Sequence, residues 1–137
     1  MSYSSRIPAS EIKEKVTSVS VAFAEDFGIY LGKDEYGAVG RNGKPMKVAS
    51  KLTTSQLRKF FGEVKRQQMV GFKDTDFILL KPKLAYAVGR ADKNSKIRDF
   101  YEVMASAIDL VGNEKEFQNF IKIFEAIVAY HKVAENS

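Results

Sequence analysis

Lys83, Tyr86 and Arg90 stand at positions i, i+3 and i+7 of LLKPKLAYAVGR, a spacing that brings two cations and an aromatic ring to one side of a helix. Leu84, Val88 and Ala91 fall on another side. Such a face is suited to gripping a nucleic-acid backbone: the cations neutralise phosphates, and the tyrosine stacks on a base or donates its hydroxyl to a phosphate or 2′-OH. The bland alternative is a half-buried Tyr86 between solvated cations. A second basic face lies beyond Thr53, where Arg58, Lys59, Lys65 and Arg66 occupy an arc flanking and opposing Leu57, Phe60, Phe61 and Val64, free to meet a ligand.

These residues belong to two blocks of positive charge. Arg41 to Arg66 holds eight Lys/Arg against one acid, Glu63, and Lys81 to Arg98 holds six against one, Asp92. Every segment outside the blocks is acidic on balance, although the chain as a whole carries +5. Concentrated charge of this kind marks a polyanion-binding surface, because phosphate contacts release condensed counterions. A single lysine would say much less, since Lys and Arg also solvate helix faces.

Other chemistry finds little support. The chain has no cysteine, hence no disulfide, thiol nucleophile or thiolate metal site, which fits a reducing compartment and a cytoplasmic location. His131, the one histidine, falls near an apolar stripe with no second base or acid identifiable beside it, and reads as structural. Asp74 with Asp76, and Glu114 with Glu116, sit at expected helix N-termini, where the macrodipole alone favours carboxylates. Gly37, Gly40 and Gly43 have no preceding strand and no Walker lysine, so nucleotide hydrolysis is disfavoured. No catalytic residue, metal or cofactor is expected. The N-terminus lacks a continuous apolar run, so neither a secretory signal nor a membrane span is expected.

The elements that must position the basic faces are helical almost throughout. With 137 residues and 45% apolar content the chain suits a single domain over 1–137. The expected fold is all-α, a compact bundle of about five helices. Helix one runs from about Ser10 to Leu31, capped by Ser10 and stopped at Gly32. Residues 33–51, with three glycines and Pro45, form a long mobile basic loop that could order on RNA. Thr53 to Gln56 is a capping box opening the next helix, which stops at Gly71. Asp74 or Asp76 caps the succeeding element, and Pro82 either sits in a first turn or kinks a helix begun at Phe77. A further helix spans about Ser95 to Val111, and the last runs from Glu114, capped by Asn113, to about Ala134. That last helix is apolar on more than one side, through Ile123, Ala126, Tyr130 and Val133, and is either central in the bundle, the favoured reading, or covered by another chain.

Three stretches in order, LTTSQLRKFFGEVKR (Leu52 to Arg66), LLKPKLAYAVGR (Leu79 to Arg90) and FEAIVAYHK (Phe124 to Lys132), resemble the small subunit of type III-A CRISPR interference (Csm) complexes. The resemblance spans about Leu52 to Lys132, whereas residues 1–51 match weakly. It implies a compact helical bundle, present in several copies along guide RNA and target RNA beside other Csm subunits. It also implies no catalysis, since cleavage in that family is attributed to other subunits. The family's basic positions fall on Arg58, Lys59, Lys81, Lys83, Arg90 and Lys132, with Tyr86 in support, and overlap the blocks found from charge. RNA would be held without sequence specificity. The alternative is a protein interaction module whose basic faces dock neighbouring subunits, with incidental RNA contact.

Overall fold

Where the periodicity predicts one helix from Ser10 to Leu31, the computed structural model, which describes residues 3–136, has two: α1 (Ala9–Lys13) and α2 (Ser18–Leu31). The apolar pattern carries through the break, but polar bonding does not. Glu11 is buried, and its carboxylate accepts from Thr17 N and Oγ1 at 2.8 Å, Ser20 N at 3.2 Å and Ser20 Oγ at 2.5 Å. Thr17, the actual N-cap, accepts in turn from Val19 N. A β-branched cap held by a carboxylate from the preceding turn therefore outcompetes helix continuation.

Those bonds, with Ser20 Oγ the largest contributor, hold the Glu11 carboxyl below the usual range. A carboxylate depressed in the folded state stabilises above its unfolded value of about 4.3, and that stability is lost as pH falls through the folded pKa. Acid titration of stability should therefore be shallower below about pH 4 in Glu11→Gln than in the wild type. Parallel curves would assign the acid sensitivity to other carboxylates.

Residues 33–51, expected as a long loop without strands, contain two, and the fold is not strictly all-α. Strands β1 (Glu35–Val39) and β2 (Pro45–Ala49) form an antiparallel hairpin pairing Glu35 with Ala49, Tyr36 with Lys47 and Val39 with Pro45. A strand therefore does run through Gly37. Two register irregularities between these pairs break the alternation that would have announced strands. Gly43, at φ 76°, makes the turn.

Helix α3 (Thr54–Val70) opens with the expected capping box of Thr53 and Gln56 and ends at Gly71, whose φ is 105°. Helices α4 (Asp74–Ile78) and α5 (Leu80–Arg90) adjoin at Leu79, with Pro82 in the first turn of α5. Neither Asp74 nor Asp76 caps α4; Lys73 holds that position without a side-chain bond. Helices α6 (Ile97–Ile108) and α7 (Glu114–Glu135) complete the chain, α7 capped by Asn113, which accepts from Glu116 N at 2.9 Å. The described residues thus hold seven helices where about five were expected, because two expected helices each divide.

Helix α7 is the centre. Phe117, Phe120, Phe124 and Ile127 are fully buried and Ile123 nearly so, while only Val133 of the other side is well exposed. Phe60, Phe100 and Phe120 pack their rings on Phe124. Helix α2 crosses α7 closely, with Gly28 against Ile127, Tyr130 and His131, and Gly32 against His131 and Ala134. No helix is long and apolar enough to cross a membrane among the described residues.

Candidate nucleic-acid interface

The seven basic and aromatic positions expected to bind RNA are divided by α3. At 100° per residue, Gln56, Lys59, Phe60 and Glu63 share one side of that helix, and Thr54, Leu57, Arg58 and Phe61 share the opposite one. The first side meets α5 across a cleft of about 480 Å³. Its rim carries Lys59, Lys83, Tyr86 and Arg90, and its floor is Phe60, Leu80, Leu84 and Ile97. The second side meets α7 across a smaller cleft of about 310 Å³, whose rim carries Arg58 and Lys132 beside Phe61 and Val128. Lys81 lines neither; its Nζ lies 2.7 Å from Asp109 Oδ1.

The larger cleft has the better-prepared chemistry. Tyr86 is 67% exposed, and the Arg90 guanidinium lies over its ring, 5.5 Å from the centroid. Lys59 and Arg58 make no ion pair among the described residues, so neither must give up a partner to meet a phosphate. Lys83 Nζ stands 3.8 Å from Glu63 Oε1 with both groups accessible, a weak surface pair. Glu63 itself is held below the usual carboxylate range, first by its hydrogen bond from Arg66, then by Gln67 and Lys83. Three cations thus surround an apolar floor with one acid among them.

Two residues expected to be free for a ligand are engaged. Arg66 donates to Glu63, and Lys65 Nζ lies 2.9 Å from Glu125 Oε2 on α7. Lys96, counted in the second basic block, is 2% exposed and belongs to the core. Its Nζ donates to Tyr30 O and Lys33 O at 2.8 Å, lies 3.0 Å from Glu35 Oε1, and sits 3.9 Å from the Tyr30 ring centroid. The apolar floor escaped sequence reading because Phe60 and Leu84 looked like ordinary stripe residues; only the approach of α5 to α3 turns them into one surface.

His131 is buried with Nε2 2.7 Å from Leu52 O, tying α7 to the segment before α3. No group of three or more His, Cys, Asp or Glu converges as a metal site among the described residues. The family model described as Csm2 Type III-A matches residues 38–137. No curated protein and no solved structure matches the chain.

Proposed function

Since the chain belongs to the Csm2 type III-A family, the small subunits of Csm complexes, we propose that it is a non-catalytic, one-domain subunit that holds the backbones of guide and target RNA without reading sequence, in the cytoplasm, beside other subunits and copies of itself. The observation that carries this reading is the α3–α5 cleft. Lys59, Lys83 and Arg90 rim an apolar floor beside an exposed tyrosine, the combination of phosphate neutralisation and sequence-tolerant stacking that single strands require. Arg58 and Lys132 offer a second contact across α3, and Lys81 would have to release Asp109 to join.

The test is a salt series of RNA affinity with Lys59→Glu/Arg90→Glu and Tyr86→Ala, for the chain alone and within the reconstituted complex. The double reversal should lower the slope of log K against log salt by about 1.4, two single-strand contacts, and weaken binding about tenfold at moderate salt. Tyr86→Ala should cost about 1 kcal/mol with little change of slope, because stacking releases no counterions. Lys122→Glu, on the exposed side of α7, serves as control. An unchanged slope in both settings would turn the reading toward the protein interaction module. The observation favouring that second reading is apolar exposure: Met69, Val70, Ile78 and Leu79 all lie well exposed around α4, open to a neighbouring subunit.

A further inference from the structure

We infer that the β1–β2 hairpin is a second polyanion-contacting arm that continues the α3–α5 cleft, so that one nucleic-acid strand runs from the cleft onto the ribbon. This rests on the RNA reading of the cleft. From Tyr36 to Ser50 there is no acid and there are three cations, Arg41, Lys44 and Lys47. Arg41 and Lys44 are exposed at the turn and have no ion pair among the described residues, whereas Lys47 is 3.6 Å from Asp34. Charge alone would leave the partner open; placement narrows it. The base of the hairpin joins the segment after α5 through a bridge between Ser50 and Ser95, with Ser50 N donating to Asn94 O and Lys96 N to Ser50 O. Arg90, Ala91 and Ile97, on either side of Ser95, line the cleft, as does Gln56 in the first turn of α3. The root of the basic ribbon therefore adjoins the segment that closes this end of the cleft.

The ribbon is also held for the task. A two-stranded hairpin alone is marginal in water, and both faces of this one are largely exposed. Its root is fixed by Lys96 gripping Tyr30 O, Lys33 O and Glu35, and by Lys51 N donating to Asp34 Oδ1. Its turn is closed by Gly40 N on Lys44 O at 2.8 Å. A fixed root with free cations at the tip lowers the ordering cost of binding. Tyr36, 59% exposed and cross-strand from Lys47, adds a ring on which a base can stack.

The test compares uridine oligonucleotides of about 4 and about 16 residues, the range of single-strand site sizes, on the full chain and on Arg41→Glu/Lys44→Glu, with helicity checked in both. The variant should bind the long oligonucleotide about tenfold more weakly with a slope smaller by about 1.4, and the short one, confined to the cleft, as the wild type does. Arg41→Gln/Lys44→Gln should show a smaller loss in the same direction. Equal affinity of wild type and variant for the long oligonucleotide overturns the arm and leaves the cleft reading standing. Wild-type chain that binds neither, alone or assembled, overturns both. Unchanged RNA binding with lost subunit assembly also overturns the arm and assigns the hairpin to an acidic protein surface.

Discussion

Lys96→Met should lower the unfolding free energy by about 3 kcal/mol, a large loss for a lysine inside a basic block. Lysine has three N–H donors, and here all three find acceptors: the carbonyls of Tyr30 and Lys33 and the carboxylate of Glu35. Methionine fills the stem but leaves both carbonyls without a donor and the carboxylate without its cation. The Glu35 side chain keeps 26% exposure and so recovers some hydration, which places the expected cost at the lower end for a broken buried pair. Arginine should not rescue, because a planar fork cannot place three donors where an ammonium does. Denaturant midpoints measure the loss, and amide exchange at Ser50 and Lys96 reports whether the hairpin root opens with it. Equal stability and equal protection would show that an apolar side chain replaces the ion without cost.

Gly28→Ala and Gly62→Ala should move stability in opposite directions, although both replace a helical glycine. Alanine is the better helix former by about 1 kcal/mol. At Gly62 an added Cβ meets nothing within 4 Å, so that gain should appear in full. At Gly28 it would lie 2.7 Å from Ile127 O, 2.8 Å from Tyr130 Cβ and 3.0 Å from His131 N. Two of those atoms are backbone and cannot rotate away, so α2 must move off α7. Overpacking of that kind costs about 3 kcal/mol, leaving a net loss of about 2 kcal/mol, or a fall of about 8 °C in Tm. A neutral Gly28→Ala would mean that α2 shifts freely on α7.

The sequence carried local signals faithfully and long-range ones poorly. Thr53 with Gln56, Asn113 before α7 and Gly71 after α3 were legible because a cap is a contract between residues a few positions apart. The face of Lys83, Tyr86 and Arg90 was legible for the same reason, helical spacing within one turn or two. Four features were not. The break before α2 depends on Glu11 reaching Thr17 and Ser20, which apolar periodicity does not register. The hairpin hides behind glycines and irregular register. The burial of Lys96 contradicts the assumption, built into every charge count, that a lysine faces water. Nor does any pattern within α3 say that Lys59 will share a cleft with Arg90 while Arg58 shares another with Lys132. That division is set by which helices pack on its two sides.

The grip of Lys96 on the hairpin root also bears on how such a chain can change over generations. A buried ammonium without Glu35 and the two carbonyls is a liability, and the hairpin without the ammonium lacks its main fastening. Neither half is readily lost first. Among relatives the lysine and the ribbon should therefore be kept or lost together, whereas the neighbouring Lys93 and Arg98, both exposed, carry no such burial constraint.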